Sequence, residues 1–309
     1  MEEKLLKMTK KKRVKPRRMK LTLMALPFVI FVFLFCYVPL MGWALAFFDY
    51  RPGLALNRLK FVGFKYFELL GYYGDDIVNA LVNTLGLSGL SMLTSLIPPL
   101  FAILLTEVRH NRLKKGIQTM ITLPHFVSWI IVSALCFSLF STNGMVNQLL
   151  QALGYTGRPV NVLGNGDTAW AFMTALDIWK EVGWNSIVYL AAIAGIDEEL
   201  HDAARVDGAS RFQRICHITV PGLTPTFIVL LLLKVGNLLS VGFEKYIVFN
   251  NSLMASRLEV IDVYTYRIGI GTQDYSFAIA VSILKSVVSI LLLFSVNSLA
   301  KRIRGDSII

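Results

Sequence analysis

The chain has 309 residues, 55% of them hydrophobic, with a mean hydropathy of +0.58. That is too apolar for an ordinary soluble domain, and runs of 20 or more apolar residues call for a bilayer. The net charge of +11 does not mark a nucleic-acid groove, because ten Lys or Arg fall within the first 20 residues and most of the rest flank apolar runs.

Residues 1–20 form a basic tail, interrupted by Pro16, suited to anionic lipid headgroups. The apolar run 21–48 is too long for a signal-peptide core and reads as an uncleaved first membrane helix. Residues 49–78 read as an external loop. The second span is expected over 79–106, kinked at Pro98 and Pro99, and the third over 117–140 with Pro124 inside it. Turn signals at Asn143-Gly144, Gly157-Arg158-Pro159 and Gly164-Asn165-Gly166 place 141–167 outside. The fourth, fifth and sixth spans are expected over 168–194, 223–248 and 275–299, with an external loop over 249–274. Proposed cytoplasmic segments hold 10, 4, 3 and 3 Lys or Arg, against 4, 1 and 2 in the external ones. This bias favours an all-α integral membrane protein of six helices with both termini cytoplasmic.

Cys36, Cys136 and Cys216 have neither disulfide nor metal spacing, and the four histidines make no catalytic or metal motif. No phosphate-binding P-loop pattern occurs. The expectation is a membrane protein that does not hydrolyse ATP itself, with no catalytic residue, metal or cofactor of its own.

The fourth span carries Asp177, Trp179, Lys180, Glu181, Trp184 and Asn185. Charges at mid-membrane usually face protein or water. A polar-solute pathway fits them, as does ion pairing between helices, or a span that begins nearer Val182. In the fifth span Lys234, Asn237, Ser240 and Glu244 recur every three or four residues, forming one polar stripe on an otherwise apolar helix. Lys285 of the sixth span is placed to join it. The stripe suits either a pathway or packing between subunits.

Between the fourth and fifth spans runs a polar stretch, EELHDAARVDGASRFQRICHITVPGLTP, residues 198–225. Asp197, Glu198 and Glu199 suit a first helical turn, Ala203 and Ala204 favour helix and close docking, Gly208 can end the helix, and Pro221 and Pro225 favour helix starts and resist helix interiors. Asp202-Ala203-Ala204, then Gly208, then nine residues before Ile218-Thr219-Val220-Pro221, resembles the EAA loop of inner-membrane permeases of binding-protein-dependent ABC importers. Asp202 stands where Glu is usual and Val220 where Leu is usual. Leu123-Pro124-His125-Phe126-Val127-Ser128-Trp129, Asp177-Ile178-Trp179-Lys180 with Val182-Gly183-Trp184, and the run from Leu190 to Asp197 resemble the oligosaccharide and polysaccharide branch.

The resemblance implies a type I ABC importer permease fold in the cytoplasmic membrane of a prokaryote. It would have an accessory first helix and a five-helix core over 79–304, containing a coupling loop at 197–222. Glu198, Glu199, Asp202, Ala203, Ala204, Asp207, Gly208 and Pro221 would couple to an ATPase. It further implies a second homologous permease as heterodimer partner, two ATPase subunits carrying ATP and Mg, and an extracytoplasmic solute-binding protein delivering a complex carbohydrate. An ion-coupled secondary transporter and a permease for another polar solute are the alternatives.

Overall fold

The computed structural model describes residues 16–304, so most of the basic tail lies outside the described residues. The first rod begins as α1 (Pro16–Val32), passes through a π turn at Phe33–Tyr37 and ends as a 3₁₀ stretch, Val38–Phe47. Every residue from Leu21 to Met41 is exposed, and the rod reaches the rest of the fold through its far end, where Ala46 is fully buried. A short hairpin follows, β1 (Phe48–Asp49) pairing antiparallel with β2 (Lys60–Phe61), and then α2 (Lys65–Tyr72). The Tyr66 hydroxyl donates to Asp49, and burial together with that carboxylate pushes its pKa up to about 12.

The second span is two helices, α3 (Gly74–Leu93) and α4 (Ile97–Thr106), joined by a 3₁₀ turn at Thr94–Leu96. Pro98 and Pro99 fall in the first turn of α4, where a missing N–H costs least. The carbonyls loosened by the break are taken up by side chains. Thr94 and Lys234 both donate to the Ser91 carbonyl, and Ser95 donates to that of Met92.

The third span is not one helix. It divides into α5 (Asn111–Thr122) and α6 (Trp129–Phe140), separated by a 3₁₀ turn at Leu123–Phe126 and extended backbone at Val127 and Ser128. Pro124 and the residue before it disfavour a continuing helix, and Ser128 caps the new one through the Ile131 N–H. Helix α7 (Met145–Ala152) and two 3₁₀ turns lead to α8 (Ala169–Ala194), one unbroken helix over the expected fourth span. Next come α9 (Glu198–Val206), α10 (Arg211–Arg214), a π turn at Ile215–Thr219 and α11 (Val220–Gly236).

The fifth span also differs from expectation. It starts earlier, because α10, the π turn and α11 run on without a break, and it stops at Gly236 rather than near Val248. Asn237 caps α11, Gly242 takes φ +96°, and a separate α12 (Phe243–Phe249) follows. Lys234, Asn237, Ser240 and Glu244 are therefore not a stripe on one helix.

Residues 249–274 are not a simple loop. They fold into α13 (Ala255–Leu258), α14 (Ile261–Tyr266) and a π turn at Arg267–Gly271 that pack into the core, with Leu258, Val260, Ile261 and Tyr264 essentially inaccessible. Polar groups on α3 accept this segment. Asn79 and Asn83 donate to the Ser256 carbonyl, Asn83 also to that of Glu259, and Thr84 accepts from the Ile261 N–H. Backbone groups inside the fold thus find partners. Helix α15 (Tyr275–Arg304) closes the described chain.

Among the described residues five stretches are long and apolar enough to cross a membrane: Leu21–Phe47, Gly74–Thr106, Trp129–Ala152, Arg211–Gly236 and Tyr275–Ser295. Helix α8 has the length to do so but carries Asp177, Lys180 and Glu181.

Candidate functional site: a polar cavity and a helical loop

Helix α8 sends its charges in two directions. Lys180, only 4% exposed, donates to the His125 carbonyl at 2.6 Å and that of Pro124 at 3.3 Å, and its ammonium lies 5.4 Å from the Trp129 ring centre. These carbonyls end the 3₁₀ turn that breaks the third span, so a cation meets the negative end of a helical turn. One turn on, Trp184 stacks flat on His125, ring centres 4.4 Å apart, while His125 Nδ1 lies 2.9 Å from Glu181. Lys180→Met is expected to lower stability by about 1–3 kcal/mol, because two carbonyls lose their donor in a dry place. Thermal unfolding of the purified protein reads this, and an unchanged midpoint would refute the clamp.

The other face of α8 turns to a cavity. Asp177 accepts a hydrogen bond from Lys245 of α12, whose ammonium lies over the Tyr246 ring. Asp177, Glu181 and Asn185 line a space of about 170 Å³ together with Ser91, Lys234 and Lys245. A second space of about 130 Å³ is lined by Ser88, Ser91, Asn237 and Ser240 with the same two lysines. A third, about 240 Å³, lies between Asn185, Tyr189 and Phe227, with Lys234 again in its wall. Lys285 of α15 donates to Asp262 and reaches Ser240 at 3.4 Å.

Of the pathway residues expected from sequence, Asp177, Asn185 and Asn237 line these cavities. Lys180 is turned away onto the α5–α6 break. Trp179 and Trp184 are exposed at 46% and 43%, and Glu244 is exposed in the first turn of α12. Sequence reasoning missed Lys245. Its signal, a Lys just beyond Gly242, becomes readable only once the helix is known to break there.

The loop after α8 is built from local chemistry. Asp197 caps α9 by accepting from the Glu199 N–H, and Glu198 and Glu199 lie exposed in the first turn. Asp202 pairs with Arg205 at 2.9 Å, and Ala203 is exposed beside them. At the far end the Gly208 N–H bonds the Arg205 carbonyl, the Ala209 N–H bonds that of Ala204, and Gly208 takes φ +77°. That is a Schellman ending, with Asp207 as the C-cap. Ser210 and Gln213 form a capping box that starts α10 at once, and Pro221 sits at the start of α11. Leu200, Val206 and Phe212 stand out of this polar stretch at 54%, 88% and 74% exposure. Sequence reasoning missed these as well, although three large apolar residues in an otherwise polar loop are the signal. Behind α9, a cleft of about 510 Å³ reaches the ends of α4, α5 and α8, with Glu107, Lys114, His201 and Arg205 on its walls.

Comparison with known proteins agrees with this geometry. Residues 99–305 match the family described as binding-protein-dependent transport system inner membrane component. The chain is 41% identical to protein LplB of Bacillus subtilis over 91% of its length and 88% of the relative's. It is 38% identical, over 93% and 89%, to the polygalacturonan/rhamnogalacturonan transport system permease protein YteP of the same organism. In structure it superposes with a TM-score of 0.84 and 35% identity on a chain of a bacterial alginate ABC transporter crystallised with a periplasmic protein bound to alginate pentasaccharide, covering 95% of this chain and 98% of that one. The protein is a membrane transport subunit with the fold of a type I ABC importer permease, and it belongs to the inner membrane components of binding-protein-dependent transport systems.

Proposed function

We propose that this chain is one of two homologous permeases that together form the path for a complex carbohydrate through the cytoplasmic membrane of a prokaryote. The observation that carries the reading is the helix-and-turn loop at 197–222, capped at both ends and presenting Leu200, Val206 and Phe212 outward. An exposed apolar set on a polar loop fits a partner surface. The partner is an ATPase subunit, which binds ATP and Mg; this chain binds neither. Glu198, Glu199, Asp202, Ala203, Ala204, Asp207, Gly208 and Pro221 shape or border that surface.

Six spanning helices, with α8 as the fourth, and both termini in the cytoplasm are the topology the charge bias supports. Helix α8 is then stabilised among its neighbours by the Lys180 clamp and the Asp177–Lys245 pair. Residues 79–304 act as the core, and the exposed rod before them as an accessory helix. Two ATPase subunits drive alternating access. Closure of the ATPase pair moves α9 as a lever, and a solute-loaded binding protein favours the outward state by binding it better. Asp177, Asn185 and Asn237 border the path, and Lys180 and Trp184 brace the α5–α6 break beside it. Relatives are named for polygalacturonan/rhamnogalacturonan and for arabinooligosaccharides, so a saccharide longer than one unit is the cargo proposed.

Purification of this chain from its native membrane, followed by an ATPase assay of what accompanies it, tests the proposal. An ATPase and a second permease are expected, with hydrolysis rising when a sugar-loaded binding protein is added. A chain that purifies alone and moves solute without ATP would replace the proposal with an ion-coupled carrier.

A further inference from the structure

Three helical stretches break, and bonds between them bring the breaks to one level of the fold. Helix α3 gives way to α4 at Thr94–Leu96, α5 to α6 at Leu123–Phe126, and α11 to α12 between Asn237 and Gly242. The Lys234 ammonium, at the end of α11, donates at 2.6 Å to the Ser91 carbonyl just before the first break. The Ser88 hydroxyl donates to the Leu238 carbonyl inside the third. Lys180 holds the carbonyls of the second, and it lies on α8 between Asp177 and Asn185. Those two residues line the same cavity as Thr94, Ser95 and Lys234.

The apolar core divides at this level. On one side Val132, Met173, Tyr246 and Phe249 of α6, α8 and α12 pack together. On the other side the cluster is Ala102, Ile103, Tyr189 and Leu223 of α4, α8 and α11. Between them lie the polar cavities of about 130 and 170 Å³. Close-packed apolar clusters resist internal deformation, whereas element ends can absorb backbone change. The side that holds α4 and α11 is continuous with the loop at 197–222. Helix α10, the π turn and α11 run from that loop without interruption, and the ends of α4 and α5 face α9 across the 510 Å³ cleft.

Resting on the importer reading above, we propose that the three breaks act as one hinge within this chain. When the loop at 197–222 is driven, α4, α5 and α10–α11 tilt as a single inner body against an outer body of α3, α6 and α12–α14. Lys234 is the positioning residue that makes the first and third breaks turn together. Asp177 and Glu181 in the same wall compensate its charge, so its part is the bond to Ser91 and not the capture of a ligand. Helices α8 and α15 cross the layer unbroken. Continuous helices bend only gently, which confines the motion to a tilt and keeps the two bodies joined. The polar cavities between the bodies are the volume that the tilt opens and closes.

The test uses the complete permease–ATPase complex in nanodiscs and distances between paired spin labels. Labels at Leu104→Cys in α4 and Val229→Cys in α11 report on the inner body, and labels at Val82→Cys in α3 and Phe137→Cys in α6 on the outer one; all four positions are exposed. Cys36 and Cys216 are replaced by Ser, and Cys136 is buried. Distances are compared without nucleotide and after arrest with ATP, Mg and vanadate. Pairs within one body should keep their distance, and pairs across the layer should shift by more than about 2 Å. Lys234→Met should let Leu104 and Val229 move by different amounts, and Lys234→Arg should keep them together. An inner pair that changes as much as the cross pairs overturns the inference. So does arrested hydrolysis with no distance changed, or a Lys234→Met complex that moves like the wild type; in each case the importer reading stands. A complex with no ATPase activity removes that reading and the inference with it. If Lys234→Met fails to assemble, the label pairs without it decide.

Discussion

Gly183→Ala is expected to disrupt the packing of α5 on α8 and to lose most transport. A Cβ at Gly183 would lie 2.3 Å from the Ile121 carbonyl oxygen, 2.5 Å from its carbon and 2.7 Å from the Thr122 nitrogen. These are backbone atoms, so no side chain can rotate away. Relief requires moving the end of α5 outward, and that end leads into the turn whose carbonyls Lys180 holds and whose His125 ring stacks on Trp184. One methyl group therefore acts on three contacts at once. Overpacking costs typically about 1–3 kcal/mol, and a backbone clash in a close helix crossing belongs at or beyond the upper end. Gly116→Ala is the control, because Gly116 lies in α5 and the methyl it would gain has no neighbour within 4 Å. It should be neutral or stabilise the helix by a few tenths of a kcal/mol up to about 1. Thermal unfolding of the two variants side by side measures the difference, and equal midpoints would show that the crossing is not tight.

The parts of this fold that are legible in the sequence are those fixed by neighbours along the chain. Asp197, Gly208, Ser210 and Gln213 set α9 and α10 through caps a few residues away. Pro98 and Pro99 mark the break in the second span by removing N–H groups. What cannot be read that way depends on residues far apart. The break at Leu123–Phe126 is held by Lys180, more than 50 residues later. The fifth span looks continuous in sequence because apolar residues run on past Gly236, and hydropathy does not register that Asn237 to Gly242 leave the helix. The expected stripe fails with that continuity, yet Lys234, Asn237 and Ser240 still meet, around a cavity rather than along a face. Segment 249–274 reads as a loop because its polar acceptors, Asn79, Asn83 and Thr84, lie on α3 and resemble ordinary helix residues until the segment is docked on them.

Gly208→Pro is expected to abolish uptake while leaving membrane insertion and the stability of the helical core unchanged. Gly208 sits at φ +77°, and proline is confined near −65°. Proline also lacks the N–H that closes onto the Arg205 carbonyl, so the Schellman ending of α9 is lost from both causes. The resulting change reorients α9 relative to α10 and with it the exposed Leu200, Val206 and Phe212. Nothing lies within 4 Å of a methyl placed at Gly208, so any defect there is conformational and not steric. This separates the variants in a graded way. Gly208→Ala should lose roughly 1–2 kcal/mol to the left-handed conformation and keep partial function. Gly208→Asn, which enters that region more readily, should approach wild type. Gly208→Pro should act as a null, with both permeases present in the membrane but ATPase subunits absent on co-purification, or present with hydrolysis no longer raised by the loaded binding protein. Wild-type uptake with proline at 208 would mean that the angle between α9 and α10 does not transmit force, and the lever role of this loop would be lost with it.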